Sequence, residues 1–167
     1  MCDMNNLVNS LIDVFNGWNK EVVVFIVSLL PILELRGGLL ASTLLKVKFS
    51  RAFFICILGN ILPIPLVLLF LDYIFTLLKK WKITKKIVDW FEKKVLSKRE
   101  QIDKYGYFGL MIFVGIPLPG TGAWTGSALA VLLGLNKKKS FLFIVLGVIM
   151  AAVIMSIVSY GILGNLI

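Results

Sequence analysis

Two long apolar runs place the strongest limit on what this chain can fold into. Residues 52–78 contain a single charged residue, Asp72, and residues 141–167 contain none. A helix needs about 20 mostly apolar residues to cross a bilayer, and both runs are long enough. A soluble helical core is the alternative. The chain is only 16% charged, however, whereas soluble domains are about a quarter charged. We therefore predict an all-α integral membrane protein.

The composition offers little for catalysis. The chain has no histidine and two cysteines, Cys2 and Cys56, and it lacks a glycine-rich phosphate loop and a Ser-His-Asp set. We therefore expect no enzyme, no cofactor and no metal site. The net charge is +9, which in a membrane protein indicates orientation and anionic headgroups before it indicates nucleic acid.

Two further apolar segments are broken near their middle. The break in residues 22–45 contains Pro31, Glu34, Arg36, Gly37 and Gly38. The break in residues 105–135 contains Pro117, Pro119, Gly120, Thr121, Gly122, Trp124 and Thr125. Each half is short, and at about 1.5 Å per residue it would cross roughly half of a hydrocarbon core. A re-entrant helical hairpin fits this pattern, and so does a single kinked span.

Two polar segments have the character of interface helices. Residues 1–21 carry a small apolar stripe, which predicts an amphipathic helix at the membrane surface. Ten of the eighteen basic residues lie between Lys79 and Lys104. In this segment apolar residues recur every seven positions, at Trp81, Val88, Val95 and Ile102, with Phe91 nearby. We predict a basic amphipathic helix over residues 79–104 on the membrane surface, with a solvated linker as the alternative.

The chain matches itself weakly at a shift of 88 residues. Pro31 then meets Pro119, Gly38 meets Gly126, and Leu58-Gly59 meets Leu146-Gly147. The order of features also recurs: a broken segment, a basic junction and a full span. We therefore predict one membrane domain over residues 1–167 that is built from two repeats, residues 22–78 and 105–167.

The distribution of basic residues favours hairpins over kinked spans. If both broken segments return to their own side, thirteen basic residues lie on one side and four on the other. The positive-inside rule makes the first side cytoplasmic, including the helix over residues 79–104. If both segments span fully, the basic residues divide seven against ten or eleven, and neither side is clearly favoured. The hairpin arrangement inverts the second repeat, and inverted repeats place binding sites near the bilayer midplane.

The motifs "PILELRGGLLAS" and "GIPLPGTGAWTGSALAVLLG" resemble those of the small multi-drug export family of bacterial and archaeal membrane proteins. The resemblance extends from about residue 22 to the end of the chain. It implies export of small molecules across the plasma (inner) membrane of a prokaryote. The family is distantly similar to the DedA/VTT group, whose paired re-entrant hairpins are associated with flipping of polyprenyl phosphate carriers and scrambling of lipids. DedA-type proteins usually carry an arginine near a Pro-Gly in the second hairpin, and here Thr121 follows Pro119-Gly120 without one.

Four polar residues inside apolar segments are the candidate proton- and substrate-binding residues. Charged residues within a membrane are costly and often mark ion or substrate paths. A buried Glu34 could load and release a proton, and Arg36 could hold an anionic substrate or tune Glu34. A structural ion pair is the alternative for both. Asn60 and Asp72 complete the set, as groups that bond across helices or pair with the basic cluster. The two hairpin tips would supply turns and backbone donors.

Three functions are compatible with these features. The first is a small proton-coupled exporter with a midplane site between the hairpin tips. The second is a DedA-like flippase or scramblase, and the third is a scaffold or a subunit of a larger complex. We expect membrane lipids and a small-molecule or lipid substrate as partners, and a homodimer, because two full spans are few for a transport path. The sequence does not identify the substrate or the coupling ion.

Overall fold

The computed structural model describes residues 19–118 and 120–163, and this part of the chain is helical with no strand. The helices are α1 Lys20–Leu29, α2 Glu34–Leu44, α3 Phe49–Ile61, α4 Pro63–Leu78, α5 Lys82–Leu96, α6 Glu100–Gly115, α7 Ala123–Leu132 and α8 Lys137–Ser156, followed by a π-helix over Ile157–Leu163. The predicted all-α class is confirmed. The predicted interface helix over residues 1–21 falls almost wholly outside the described residues.

Two helical segments are long and apolar enough to cross a membrane. Among the described residues they are Phe49–Leu78 and Lys137–Gly161. Within the first, α3 ends at Ile61 and α4 begins with Pro63. Proline is well suited to the first position of a helix, because the N–H it lacks would have no intrahelical partner there. Pro63 therefore starts a helix in a segment whose sequence predicts an irregular span.

The chain forms two compact units, one of residues 1–62 with 148–167 and the other of residues 63–147. In unit 1, helices α1, α2 and α3 pack on one another, and the π-helix contacts α2. The buried apolar cluster consists of Val23, Val27, Leu33 and Ala41, with Leu30 and Leu45 packed against it.

Small residues let the three helices of unit 1 approach closely. A Cβ atom at Gly38 in α2 would overlap the hydroxyl group of Ser28 in α1. A Cβ atom at Gly59 in α3 would lie 2.9 Å from the carbonyl oxygen of Phe25, also in α1. Side chains at either position would therefore push the helices apart, in the manner of small-residue contacts in membrane proteins.

Unit 2 is organised around α7, which contacts α4, α5 and α6. A Cβ atom at Gly126 in α7 would lie 2.5 Å from the side chain of Val114 in α6. Aromatic pairs join further elements: the rings of Phe75 and Phe91 are 5.9 Å apart, and those of Tyr107 and Phe143 are 5.6 Å apart. The second helix–turn–helix element, α6 and α7, is therefore held by the same kind of close packing as α1 and α2.

The same backbone hydrogen bonds end α2 and, 88 residues later, α7. After α2 they are Leu45 N to Ala41 O, Lys46 N to Thr43 O and Val47 N to Ser42 O; after α7 they are Leu133 N to Leu129 O, Gly134 N to Val131 O and Leu135 N to Ala130 O. The middle residue of each turn has a positive φ, 55° at Lys46 and 66° at Gly134. The shift of 88 residues seen in the sequence therefore recurs in backbone conformation.

The predicted single helix over residues 79–104 is wrong in its bounds. Helix α5 covers Lys82–Leu96, and α6 begins at Glu100 after a turn. Helix α6 then breaks at Gly106, which has a φ of 58° and a ψ of −133°. The seven-residue spacing nevertheless continues across this turn. Val88 and Val95 in α5 and Ile102 in α6 are all buried, although they belong to two different helices.

Candidate functional site

The first turn of unit 1 connects α1 to α2 through residues 30–33. The Leu30 N–H donates to the carbonyl oxygen of Val27 and ends α1, and the Glu34 N–H donates to that of Leu30. Pro31 lies exposed in this turn. The prediction that Gly37 and Gly38 form the turn is wrong, because both are buried inside α2. A Cβ atom at Gly38 would overlap Ser28 of α1, and one at Gly37 would lie 2.6 Å from the Cβ atom of Leu33. A sequence cannot distinguish this need for close packing from a need for a turn.

Glu34 is a buried acid in an unusual backbone conformation. It is 5% exposed and begins α2 with a φ of 50°. A residue with a Cβ atom in this left-handed region costs roughly 1–3 kcal/mol, and such residues cluster at functional sites. The residue 88 positions later is Gly122, which also has a positive φ, 134°. The second element thus has a glycine where the first has a carboxylate.

Arg36 lies two residues further along α2 and is half-buried. Its positive charge and the negative charge of Glu34 attract each other. Opposite charges within a few ångströms favour the charged form of both groups, and burial opposes it. The arrangement is therefore suited either to a stable ion pair or to a carboxyl group whose protonation changes the charge of the turn.

Buried hydroxyl groups are concentrated in unit 1, and the sequence interpretation missed them. Among the described residues, the buried polar side chains of unit 1 are Ser28, Glu34, Ser42, Asn60, Ser156 and Ser159, whereas those of unit 2 are Ser127 and Ser140. The Ser42 hydroxyl is 2.9 Å from that of Tyr160 in the π-helix, and Tyr160 donates to the carbonyl oxygen of Val47 at 2.9 Å. The serines that interrupt the apolar runs of the sequence could have indicated these buried hydroxyl groups.

Asn60 and Asp72 have different surroundings. Asn60 is 2% exposed at the end of α3, and among the described residues its side-chain oxygen Oδ1 has no hydrogen-bond donor. It belongs to the same unit as Glu34. Asp72 belongs to unit 2, is mostly exposed, and lies 3.9 Å from the ammonium group of Lys137. An exposed pair at this distance contributes little to stability, and Asp72 is not brought near a buried charge.

The second turn, between α6 and α7, is formed by residues 116–122. The Thr121 hydroxyl lies 2.9 Å from the carbonyl oxygen of Ile116 and 2.8 Å from that of Leu118, so it closes the turn. Gly120 has a φ of 77°, which only glycine adopts easily. Pro117 is half-buried in the turn. Pro119 lies outside the described residues.

Trp124 and Thr125 do not belong to the second turn. Both lie in the first turn of α7 and are half-buried. Helix α7 begins at Ala123 immediately after Gly122, which occupies its N-cap position. The predicted tip residues 117–125 are therefore divided between a turn and the start of a helix.

A lysine approaches the second turn, which the sequence predicts to be uncharged. A Cβ atom at Gly120 would lie 3.9 Å from the ammonium nitrogen of Lys98, which follows α5. The chain places Lys98 twenty-two residues before Gly120, so no local motif joins them. Only the return of the chain through α6 brings this positive charge to the turn.

Comparison with known proteins identifies the family. No curated protein and no solved structure matches the chain. The family model described as "Putative small multi-drug export protein" matches residues 34–154, from Glu34 into α8. This match covers most of the chain and includes α2 and the whole second helix–turn–helix element, α6 and α7. The chain therefore belongs to the small multi-drug export protein family.

Proposed function

We propose that this membrane protein exports small molecules and that a proton drives the step through Glu34. The observation that carries the proposal is the conformation of Glu34, a buried carboxyl group in a left-handed backbone where the equivalent residue is Gly122. If the position served only the turn, glycine would relieve the strain. The carboxyl group is therefore retained for its chemistry.

Arg36 couples protonation of Glu34 to the charge of the turn. While Glu34 is ionised, its negative charge offsets the positive charge of Arg36. Protonation of Glu34 removes this attraction, and a charge that is less well balanced in a low-dielectric setting is costly. Approach of an anionic group or of water then becomes more favourable. Proton binding and substrate binding at this turn are thus linked.

Contacts at the base of each helix–turn–helix element support re-entrant hairpins. Glu21 at the start of α1 forms a 2.8 Å ion pair with Arg51 at the start of α3. The Tyr107 hydroxyl in α6 accepts a hydrogen bond of 3.1 Å from the backbone N–H of Asn136, just before α8. If either element crossed the whole bilayer, these partners would lie on opposite sides, about 30 Å apart.

The lengths of the helices agree with this proposal. Helix α1 has 10 residues and α2 has 11, so each is about 15–17 Å long and crosses roughly half of a hydrocarbon core. Helix α7 also has 10 residues. The inverted relation of the two elements, the shared midplane site, the homodimer and the cytoplasmic side of α5 stay predictions of the sequence.

Transport in proteoliposomes tests the role of Glu34. Vesicles are loaded with an anionic dye, carboxyfluorescein, or a cationic dye, ethidium, and a pH gradient is imposed. We expect the gradient to accelerate efflux of one dye, and Glu34→Gln to reduce that acceleration at least tenfold, because an amide cannot take up a proton. Glu21→Gln is the matched control and should retain the acceleration, since Glu21 is a partly exposed acid of the same unit.

Two results would contradict the proposal. If the gradient accelerated efflux equally in wild type and Glu34→Gln, the proton would not act through Glu34. If the wild-type protein moved neither dye faster than empty vesicles, export of small charged molecules would be rejected, and a scaffold or subunit role would remain. Glu34→Gly separates strain from chemistry, because it restores the residue type of the second element and should be folded but inactive.

Lys98 favours a second candidate function, transport of a lipid phosphate, which is the alternative that we expect from the DedA resemblance of the sequence. Its ammonium group beside the second turn could hold a phosphate there. Dithionite bleaching of a fluorescently labelled polyprenyl phosphate in proteoliposomes measures flipping. This candidate predicts that Lys98→Gln slows flipping at least tenfold and that Lys104→Gln, at an exposed position of α6, does not. Equal rates in both variants would reject it.

A further inference from the structure

Helix α5 has an inner face that is covered by the protein. Val88 is 4% exposed and Val95 is 2% exposed, and α5 contacts both α4 and α7. Glu92 on the same side forms a 2.7 Å ion pair with Lys79, which follows α4. Val88 and Val95, the part of the seven-residue stripe that lies on α5, are therefore covered by contacts within unit 2 and do not face the membrane.

A second apolar surface lies on the other side of α5. Ile87 is 63% exposed and Trp90 is 60% exposed. Three residues apart on a helix, they are neighbours on one face, about 120° from Val88 and Val95 on average. Trp81, just before the helix, is 73% exposed. Two large apolar side chains on the 15-residue helix and one just before it are therefore not covered by the residues that the structure describes.

Lysines surround this second surface. The Lys94 ammonium group lies 4.8 Å from the centre of the Trp90 ring. Lys86 and Lys93 are exposed on the adjoining strip of the helix. Tryptophan is enriched at membrane–water interfaces, where its ring enters the headgroup region and its N–H stays hydrated. Lysines beside it are attracted to anionic headgroups.

The position of α5 in the chain brings this surface to the bilayer. The membrane-capable segment ends at Leu78, and α5 begins at Lys82. The 2.7 Å ion pair between Lys79 and Glu92 and the contacts of α5 with α4 then keep α5 beside the end of that segment. A helix held at the end of a span cannot leave the interface, so its uncovered apolar side chains have lipid within reach.

We propose that Trp81, Ile87 and Trp90, with Lys86, Lys93 and Lys94, form a docking surface for anionic lipid headgroups. Trp81 belongs to the seven-residue spacing seen in the sequence, whereas Val88 and Val95 of that spacing are buried and lie outside this surface. The proposal does not rest on the transport proposal. The apolar side chains enter the headgroup region, and the lysines select anionic over zwitterionic lipid. The occupant is thus a leaflet rich in phosphatidylglycerol or a lipid of like charge.

Fluorescence of Trp90 tests this surface directly. Trp18, Trp81 and Trp124 are replaced by phenylalanine, and the protein is reconstituted with phosphatidylcholine containing a small fraction of brominated phosphatidylglycerol or brominated phosphatidylcholine. We expect both lipids to quench Trp90, with the anionic one associating several-fold more strongly. Since each lysine near an anionic surface contributes up to about fivefold, replacing Lys86, Lys93 and Lys94 by glutamine should abolish the preference. Replacing Lys137, Lys138 and Lys139 should leave it intact.

Adjacent residues distinguish the two faces of α5. Ile87→Asp should retain the folded protein and weaken quenching of Trp90, whereas Val88→Asp should lower the unfolding temperature, because Val88 is buried. The reverse result would show that the Val88–Val95 stripe faces lipid and would overturn the proposal. Absence of quenching by either lipid, or equal quenching by both in the unsubstituted surface, would also overturn it. If the triple lysine variant does not fold, Lys93→Gln alone gives the same comparison.

Discussion

Lys46 and Gly134 occupy the same place in two turns, and only one of them is a residue suited to it. Both have a left-handed backbone, with φ near 60°, and both follow a helix that ends with the same hydrogen bonds. Such a conformation costs an L-residue with a Cβ atom about 1–2 kcal/mol. Glycine avoids that cost but loses more chain entropy on folding. The pair therefore allows a clean measurement of backbone strain.

We expect Lys46→Gly to stabilise the protein by about 0.5–1 kcal/mol and Gly134→Ala to destabilise it by about 1 kcal/mol. No atom lies within 4 Å of a Cβ at Gly134, so its substitution acts through the backbone alone. Thermal unfolding in detergent, followed by circular dichroism, measures both. Lys48→Gly is the control for the loss of a lysine, because Lys48 has a negative φ, −57°. If Lys46→Gly destabilised the protein, strain at Lys46 would be excluded.

Glu34 could be chosen as a candidate site residue from the sequence, but its conformation could not be predicted. A glutamate in an apolar run is visible because charge in hydrocarbon is costly. The positive φ of Glu34 depends on how the turn at residues 30–33 is closed. No residue type in that turn indicates such a backbone conformation. The residue 88 positions later, Gly122, also has a positive φ, 134° against 50° at Glu34, so both turns lead into a helix through a backbone that glycine adopts most easily.

At the scale of elements, the helical class and the two long apolar segments could be predicted from the sequence. The division of residues 79–104 between two helices and the reasons for the small residues could not. Gly37 and Gly38 in the sequence "RGG" indicate a turn, and the structure places them inside α2. Glycine is common both in turns and where membrane helices approach closely. The choice between the two depends on what lies opposite, which here is Ser28 and Cys56 against Gly38. That contact joins residues far apart in the chain.

Helix α5 shows the same difficulty with apolar faces. Its seven-residue spacing predicts an amphipathic helix, and the helix is amphipathic, with Val88 and Val95 on one side. Periodicity identifies which residues share a face but not what covers that face. The helix also carries Ile87 and Trp90 on another side. From the sequence alone, either of these two apolar surfaces is a candidate for contact with the membrane. The packing of α5 on α4 and α7 covers the surface with Val88 and Val95 and leaves the one with Ile87 and Trp90 exposed.

At the scale of the whole molecule, the contacts at the two ends of the membrane-capable segment Phe49–Leu78 predict on which side of the bilayer each helix–turn–helix element begins. Arg51, near its start, pairs with Glu21 of the first element. Asp72, near its other end, lies beside Lys137, one residue after the Asn136 contact of the second element. If the segment crosses the bilayer, these two sets of contacts belong to opposite sides. We therefore expect the bases of the two hairpins to be reached by water from opposite sides.

Labelling of single cysteines in sealed vesicles measures this sidedness. In a Cys2→Ser background, with Cys56 left in place because it is buried and inert, cysteine is introduced at Lys20, Lys48 or Lys138. A membrane-impermeant maleimide should label positions 20 and 48 from the same side and position 138 from the other. Since the basic cluster accompanies position 138 in the sequence interpretation, that side should be cytoplasmic.

Each alternative arrangement gives a different labelling pattern. If α1 and α2 together crossed the bilayer, positions 20 and 48 would be labelled from opposite sides, and the first hairpin would be rejected. If position 138 shared a side with position 48, the segment Phe49–Leu78 would not separate them, and the inversion of the second element would be rejected. Inverted half-membrane hairpins predict one pattern alone, because both hairpins must return to the side on which they begin.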